Sequence, residues 1–352
     1  MAKVTPKENF MMLVDGGTPA YIPYFTMMGE PYLGEAATKF VNPDLFGETH
    51  FIDGGHDRWG VRYVAAEGTN NATMPDTSHF LLEDIEDWQK TVKFPVIPEH
   101  DMKMLCEKEL AAQGIDRTQS AVMCTPGFSP FQTLVALMGF VEGLMALYEN
   151  PDAVKDMLNA MVNLLEPLFD EVLDACKPDL WYILDDSCAK TAPFFSVETY
   201  RDIFKPIYAR LAKPANERGI PIIFHNCGFC EPFIPDMVDF GVKILEPMQD
   251  SNDLLKIKNE YKGRLALVGG CDWATMMPKN YPEYDEEELR QSVRDVINKN
   301  APGGAYGFYA WPISYAGDPV IEEVKRIIRD EAHWYGRKYT GYNEDTFTVP
   351  VG

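Results

Sequence analysis

Short apolar runs alternate along this chain with longer amphipathic stretches. The runs are rich in Ile, Val, Leu, Phe and Tyr, which is typical of strands that are buried on both faces of a parallel sheet. Eight such runs predict strands at Tyr21–Thr26, Thr49–Ile52, Ser120–Cys124, Leu180–Leu184, Pro221–His225, Lys243–Glu246, Leu265–Gly270 and Ala305–Tyr309. The stretches between them predict helices that include Thr133–Tyr148, Ala153–Cys176, Tyr200–Arg218 and Tyr284–Asn298.

Strands that alternate with helices imply a parallel sheet, and eight of them predict a (β/α)8 TIM barrel of the α/β class. We expect one domain over residues 1–352. An open, doubly wound sheet is the alternative, but no G-x-G-x-x-G motif follows the first strand. The stretch at about 51–98 is rich in Gly, Asp and aromatic residues and has little periodicity, so we expect an excursion over one barrel mouth, either functional or decorative.

The composition of the chain indicates its expected location, its partners and the state of its cysteines. The chain is 46% hydrophobic and 24% charged, and its start lacks the apolar segment of a secretory signal, so we expect a cytoplasmic location. The net charge of -22 disfavours nucleic acid and anionic membranes as partners. Seven cysteines, an odd number, favour free thiols and metal ligands over a disulfide framework.

Metal-binding side chains end three successive predicted strands. His225 and Cys227 lie two residues apart, so their side chains share one side of an extended segment, and nitrogen with sulfur suits Zn²⁺. The next two strands end in Glu246 and Cys271. Because the carboxyl ends of barrel strands meet at one mouth, these four residues predict a zinc site with Glu246 as a weakly held fourth ligand. Each residue alone also fits a structural role, such as a buried cysteine.

Two adjacent carboxylates follow the strand Leu180–Leu184. Asp185 and Asp186 point to opposite faces, so one of them is expected to enter the mouth. We assign Asp186 and Glu246 to catalysis and Asp185 to substrate binding; a helix cap is the alternative for either aspartate. Asp57–Gly60 is expected to anchor its own loop.

Aromatic and methionine side chains crowd the expected mouth and would suit an apolar, planar ligand. The expected substrate-binding residues among them are Met27, Phe128, Tyr309 and Trp311. Cys230 forms a C-x-x-C with Cys227, but no second C-x-x-C completes a four-thiolate site.

Several of these segments together resemble the uroporphyrinogen decarboxylase superfamily, and within it the corrinoid-dependent methyltransferases. The resemblance covers nearly the whole chain, at Thr5-Pro6-Lys7-Glu8-Asn9, Asp57–Gly60, Gly127–Phe131, Asp185-Asp186, His225–Gly228 and Gly269–Asp272. It implies a TIM barrel in which a His-x-Cys motif and a distal thiolate hold catalytic zinc. It also implies a methyl group that passes between a small substrate and a corrinoid (cobalamin) carried by a partner protein.

The chain departs from the family pattern at two places. The decarboxylases carry an R-Q-A-G-R motif in the first loop, whereas this chain has Thr26-Met27-Met28-Gly29-Glu30. The thiol-methylating members have their distal cysteine near the last strand, where this chain has Pro302-Gly303-Gly304-Ala305, so Cys271 is the candidate replacement.

The expected function is therefore methyl transfer from a methoxylated aromatic of the veratrole or guaiacol type to the Co(I) corrinoid of a partner protein, in an anaerobic O-demethylase system. Methyl transfer from the corrinoid to a thiol of the coenzyme M type is the alternative. Two further alternatives belong to other functional classes: tetrapyrrole decarboxylation, and a non-catalytic role in binding a corrinoid. The oligomeric state, a homodimer included, is left open.

Overall fold

The protein is described here from a computed structural model. The structure describes residues 4–14, 16–26, 36–43, 45–48, 54–65, 73–310 and 318–342. The strands in chain order are β1 to β10: Thr38–Phe40, Gly55–His56, Arg62–Ala65, Thr73–Pro75, Ala121–Cys124, Leu180–Leu184, Ile222–His225, Val242–Met248, Ala266–Gly269 and Tyr306–Phe308. The helices α1 to α12 are Pro6–Met11, Trp88–Thr91, Met102–Ala112, Pro130–Met138, Phe140–Glu149, Pro151–Cys176, Val197–Thr199, Lys205–Glu217, Ile234–Asp239, Leu254–Glu260, Glu286–Asn300 and Pro319–Thr340.

A parallel sheet forms the centre of the fold. Within the described residues it has seven strands in the order β1-β5-β6-β7-β8-β9-β10. The segment 23–26 lies between its two edges: Tyr24 forms a parallel bridge with Phe308, and the Thr38 hydroxyl donates to the Thr26 carbonyl oxygen over 3.1 Å. This eighth segment joins the edges, and the predicted α/β barrel is confirmed.

Most predicted strands agree with the structure to within two residues. The exceptions lie early in the chain: Tyr21–Thr26 forms an isolated bridge at Tyr24 and not a full strand, the prediction at Thr49–Ile52 lies outside the described residues, and β1 was not predicted. A run of three residues carries too little pattern to be recognised. Residues 54–65 and 73–98, within the expected excursion, contain the antiparallel sheet β2-β3-β4 and α2.

The predicted helix Thr133–Tyr148 is two helices, α4 and α5. Gly139 separates them with a φ of 86°, and the pair is bent by 111°. A Cβ atom at this residue would lie 2.7 Å from the Phe80 ring, so the close approach requires glycine as well. Among the described residues no single helix has the length and apolarity to cross a membrane, although the bent pair α4 and α5 meets the test of length and composition.

Alternation along the strands divides the buried residues into two cores. One core fills the barrel interior and includes Leu180, Tyr182, Ile223 and Ile244. The other lies between the barrel and its helices and includes the intervening residues, such as Phe224. The same alternation turns His225 and Glu246 toward the interior, at the carboxyl ends of β7 and β8.

One pair of cysteines departs from the expectation of free thiols. Cys106 on α3 and Cys176 on α6 form a disulfide, with their Cα atoms 5.4 Å apart, and both side chains are buried. The remaining five cysteines are free. An odd total count cannot exclude a pair that two packed helices bring together, which is why the sequence did not reveal it.

We expect thiol titration of the unfolded, unreduced protein to give five reactive groups, because the Cys106–Cys176 bond removes two of the seven cysteines. Treatment with a reductant before unfolding should raise the count to seven. Seven groups without reductant would show that these two cysteines are not paired.

Candidate active site

Three side chains that can bind a metal converge at the carboxyl end of the barrel. They are Asp186, His225 and Cys227, and their ligand atoms all lie within 4.8 Å of one another. Nε2 of His225 is 3.6 Å from the Cys227 sulfur and 3.4 Å from Oδ1 of Asp186. The local cause is parallel pairing: Leu184 of β6 lies beside His225 of β7, so residues just beyond β6 lie beside the His-x-Cys segment.

The adjacent aspartates have different surroundings. Asp186 follows the inward alternation of β6, and its carboxylate also accepts from the Cys227 backbone N–H over 2.9 Å and from the Gln132 amide over 3.0 Å. Asp185 points outward and is fully buried. It accepts from the backbone N–H groups of Phe131 and Gln132, at the start of α4, and from the Tyr208 hydroxyl.

Asp185 therefore acts as an anchor for the amino terminus of α4. All three of its hydrogen bonds go to buried or half-buried protein groups, and its expected role in substrate binding stays a prediction. Burial raises the pKa of Asp185 to about 7, although the two backbone N–H groups act in the opposite direction.

Glu246 lies beside Nδ1 of His225, whereas Asp186 and Cys227 lie beside Nε2 of the same ring. Its Oε1 is 2.8 Å from Nδ1 of His225, and it accepts a short hydrogen bond from the Tyr182 hydroxyl. Its other oxygen, Oε2, is buried and has no hydrogen-bond partner among the described residues. The sequence predicted Glu246 as a weakly held metal ligand, whereas its carboxylate contacts Nδ1 of His225 and is not in the convergent group. Tyr182 was not predicted, because an inward aromatic side chain on a strand is typical of core packing.

Cys271 is not part of the convergent group. Its thiol lies 3.6 Å from the carbonyl oxygen of Tyr309, and its side chain belongs to the core between barrel and helices. The strand ends at Gly269, and Gly269 and Gly270 both have a positive φ, so the alternation of the strand does not continue to Cys271. Cys230 is also buried, with its sulfur 4.0 Å from that of Met248.

The charges within the site are strongly coupled. Burial disfavours a charged imidazole, but the carboxylates of Glu246 and Asp186 outweigh it and raise the pKa of His225 well above its usual value. Burial also opposes ionisation of Asp186, yet His225 and the Cys227 N–H hold its pKa below the ordinary range. Burial raises the pKa of the Cys227 thiol. A divalent cation would replace the protons that this arrangement otherwise retains.

Two of the four aromatic or methionine residues that are expected to bind substrate are described by the structure, and both are buried. Tyr309 is buried in the barrel interior, with its ring 5.4 Å from that of Phe25. Phe128 is buried against Trp59, at 6.2 Å between ring centres. Met27 and Trp311 lie outside the described residues.

The early loop has the anchoring role that was expected. The Asp57 carboxylate accepts from the backbone N–H groups of Trp59 and Val61, and Arg58 pairs with Glu48. Burial raises the pKa of Asp57 to about 6. These contacts hold the loop in place, and none of them is a contact to the convergent group.

The donor atoms fit a zinc ion. Zn²⁺ prefers tetrahedral sites of nitrogen, sulfur and oxygen, in which neighbouring ligand atoms are roughly 3.3–3.8 Å apart. The separations of 3.4 and 3.6 Å from Nε2 of His225 lie within that range. Alternation places these three donors at the inner side of the barrel mouth. Because a tetrahedral zinc ion has four ligands, the fourth would come from solvent or substrate.

Comparisons with known proteins agree with this architecture. The solved structure of a methyltransferase from Methanosarcina mazei aligns with a TM-score of 0.62 and 14% identity, over 94% of this chain and 99% of the other. The Bacillus subtilis mannanase BCman aligns with a TM-score of 0.41 and 12% identity, over 90% of both chains, which is too low to support an argument. A search of curated protein sequences gave no significant match.

The family comparison is more specific. The model of the family described as uroporphyrinogen decarboxylase (URO-D) matches residues 68–308, which include all three convergent ligands. Because this match spans more than half of the chain, the protein belongs to the uroporphyrinogen decarboxylase family.

Proposed function

We propose that the protein is a zinc-dependent methyltransferase that moves a methyl group from a methoxylated aromatic to the Co(I) corrinoid of a partner protein. The observation that carries the proposal is the convergence of Asp186, His225 and Cys227 at the carboxyl end of a barrel. A methyltransferase from Methanosarcina mazei has the same fold, which makes this chemistry compatible with the scaffold.

The three convergent residues would hold the ion, with His225 through Nε2. Bound Zn²⁺ would act as a Lewis acid toward the ether oxygen, which makes the phenolate a better leaving group. In the overall reaction the C–O bond breaks, its electron pair stays on the phenolate, and the methyl carbon is bonded to the cobalt of the co-substrate. The ring of Tyr309, which is buried in the interior core just after the carboxyl end of β10, would help to exclude water from the substrate.

The composition of the ligand set favours an ether substrate over a thiol. A site with two thiolates is electron-rich and suits thiolate activation, whereas one thiolate and one carboxylate leave the metal more Lewis-acidic. The convergent group contains one cysteine, and Cys271 faces away from it. Thiol methylation therefore remains the second candidate. Decarboxylation is weakened by the absence of arginine from Thr26-Met27-Met28-Gly29-Glu30.

We expect Asp186→Asn to weaken Zn²⁺ binding by more than about tenfold, because it removes an anionic ligand. Cys271→Ser should change the affinity by less than about twofold, because its thiol bonds to the Tyr309 carbonyl. Isothermal titration of the metal-free protein with Zn²⁺ measures both. The opposite order of effects would return Cys271 to the ligand set and remove Asp186 from it.

The neighbouring aspartate provides a stability test. Asp185→Ala would leave the Phe131 and Gln132 N–H groups and the Tyr208 hydroxyl without their acceptor. Buried groups without partners cost about 1–3 kcal/mol each, so the free energy of unfolding should fall by about 3 kcal/mol or more. Asp186→Ala, at the more accessible position, should lower the free energy of unfolding by about 1 kcal/mol. Urea denaturation measures both values. Equal losses for the two variants would contradict a structural role for Asp185 that Asp186 does not share.

We expect veratrole or guaiacol, mixed with Co(I) corrinoid protein and the zinc-loaded enzyme, to give the demethylated phenol and a methylated corrinoid. The change in the corrinoid absorption spectrum reports the transfer, and Cys227→Ala should abolish it without unfolding the barrel. If no methoxyarene reacts while a thiol of the coenzyme M type removes methyl from the methylated corrinoid, the second candidate is correct.

A further inference from the structure

Tyr182 lies beneath the convergent site, on the interior face of β6. It is 1% exposed, and its ring packs among the apolar side chains of the barrel interior, edge-on to Phe40 at 5.6 Å. Its hydroxyl is the part that reaches the site. The oxygen lies 3.0 Å from Nδ1 of His225 and donates a short hydrogen bond to Oε1 of Glu246.

The donors and acceptors in this contact can be assigned. The Tyr182 O–H donates to Oε1 of Glu246, and an imidazole that binds a metal through Nε2 carries its hydrogen on Nδ1, so the His225 Nδ1–H donates to the same oxygen. Since the Tyr182 proton is already given to Glu246, it is not shared with Nδ1. The ring nitrogen that remains, Nε2, is the one that faces Cys227 and Asp186.

Glu246 has few other restraints. It is 1% exposed, and Oε2 has no hydrogen-bond partner in the described part of the chain. A buried carboxylate without hydrogen bonds is costly, and the hydrogen bonds that Glu246 makes to described residues all go to Oε1. Loss of the Tyr182 hydroxyl would leave His225 as the sole partner of Glu246 among the described residues, and the carboxylate could rotate about its last bond.

We infer that Tyr182 is a positioning residue for the metal centre: its hydroxyl fixes Glu246, and Glu246 fixes the imidazole so that Nε2 is presented to the metal. This inference rests on the proposed zinc site and deepens it. Glu246 then acts behind His225 and not as a ligand itself. Residues that orient a metal-binding histidine through its second nitrogen commonly change metal affinity by 10- to 100-fold.

The test compares two tyrosines that lose the same atom. Tyr182→Phe removes the hydroxyl beneath His225. Tyr306→Phe is the matched control, because Tyr306 is a fully buried strand residue whose hydroxyl donates to the Gly269 carbonyl over 2.8 Å. Zn²⁺ alone is titrated into each metal-free, full-length variant. We expect about tenfold weaker binding for Tyr182→Phe and less than about twofold for Tyr306→Phe.

Two further readouts separate positioning from a general loss of structure. The visible spectrum of bound Co²⁺ should shift in Tyr182→Phe and not in Tyr306→Phe, because ligand geometry sets that spectrum. Tyr182→Phe should also add little to Glu246→Ala, since the hydroxyl acts through the carboxylate.

Equal Zn²⁺ affinities for the two tyrosine variants, or additive losses in the double variant, would overturn the inference while leaving the zinc site intact. If the wild-type protein binds neither ion, the proposed metal centre fails, and the positioning role fails with it.

Discussion

The register between β6, β7 and β8 is the constraint on which the site depends. Leu184 pairs with His225, and His225 pairs with Glu246, so these three residues lie side by side at one level of the barrel. All three face the interior, and because side chains alternate along a strand, the residues two positions before and after them do so as well. Tyr182 below and Asp186 above His225 follow from the same register. A slip of one residue would turn His225 toward the helices.

The step from Asp185 to Asp186 shows how this alternation separates structure from chemistry. Asp185 faces outward and holds the first N–H groups of α4, while Asp186 faces inward and approaches His225. Gln132 connects the two, because its backbone donates to Asp185 and its side chain to Asp186. The helix that covers the barrel is thus attached at the same place where the candidate ligands meet.

The sequence predicted the barrel well because buried parallel strands are apolar on both faces and stand out from their surroundings. It failed at Thr38–Phe40, a strand too short to carry a pattern, and at Gly139, where glycine divides one predicted helix. For the site, spacing identified His225, Cys227 and Glu246. Cys271 was included because it follows a predicted strand, but two glycines with positive φ separate it from that strand, and its side chain packs in the core between barrel and helices. Tyr182 could not be found, since its hydroxyl matters only once the register places it under Glu246.

We propose that one cysteine, one histidine and one aspartate form the metal centre. X-ray absorption spectroscopy of the zinc-loaded protein tests it directly, because sulfur is distinguished from nitrogen and oxygen by distance and scattering. We expect a single sulfur at about 2.3 Å, with the remaining ligands nitrogen or oxygen at about 2.0–2.2 Å. Two sulfur ligands per zinc would contradict it and would place a second cysteine on the metal.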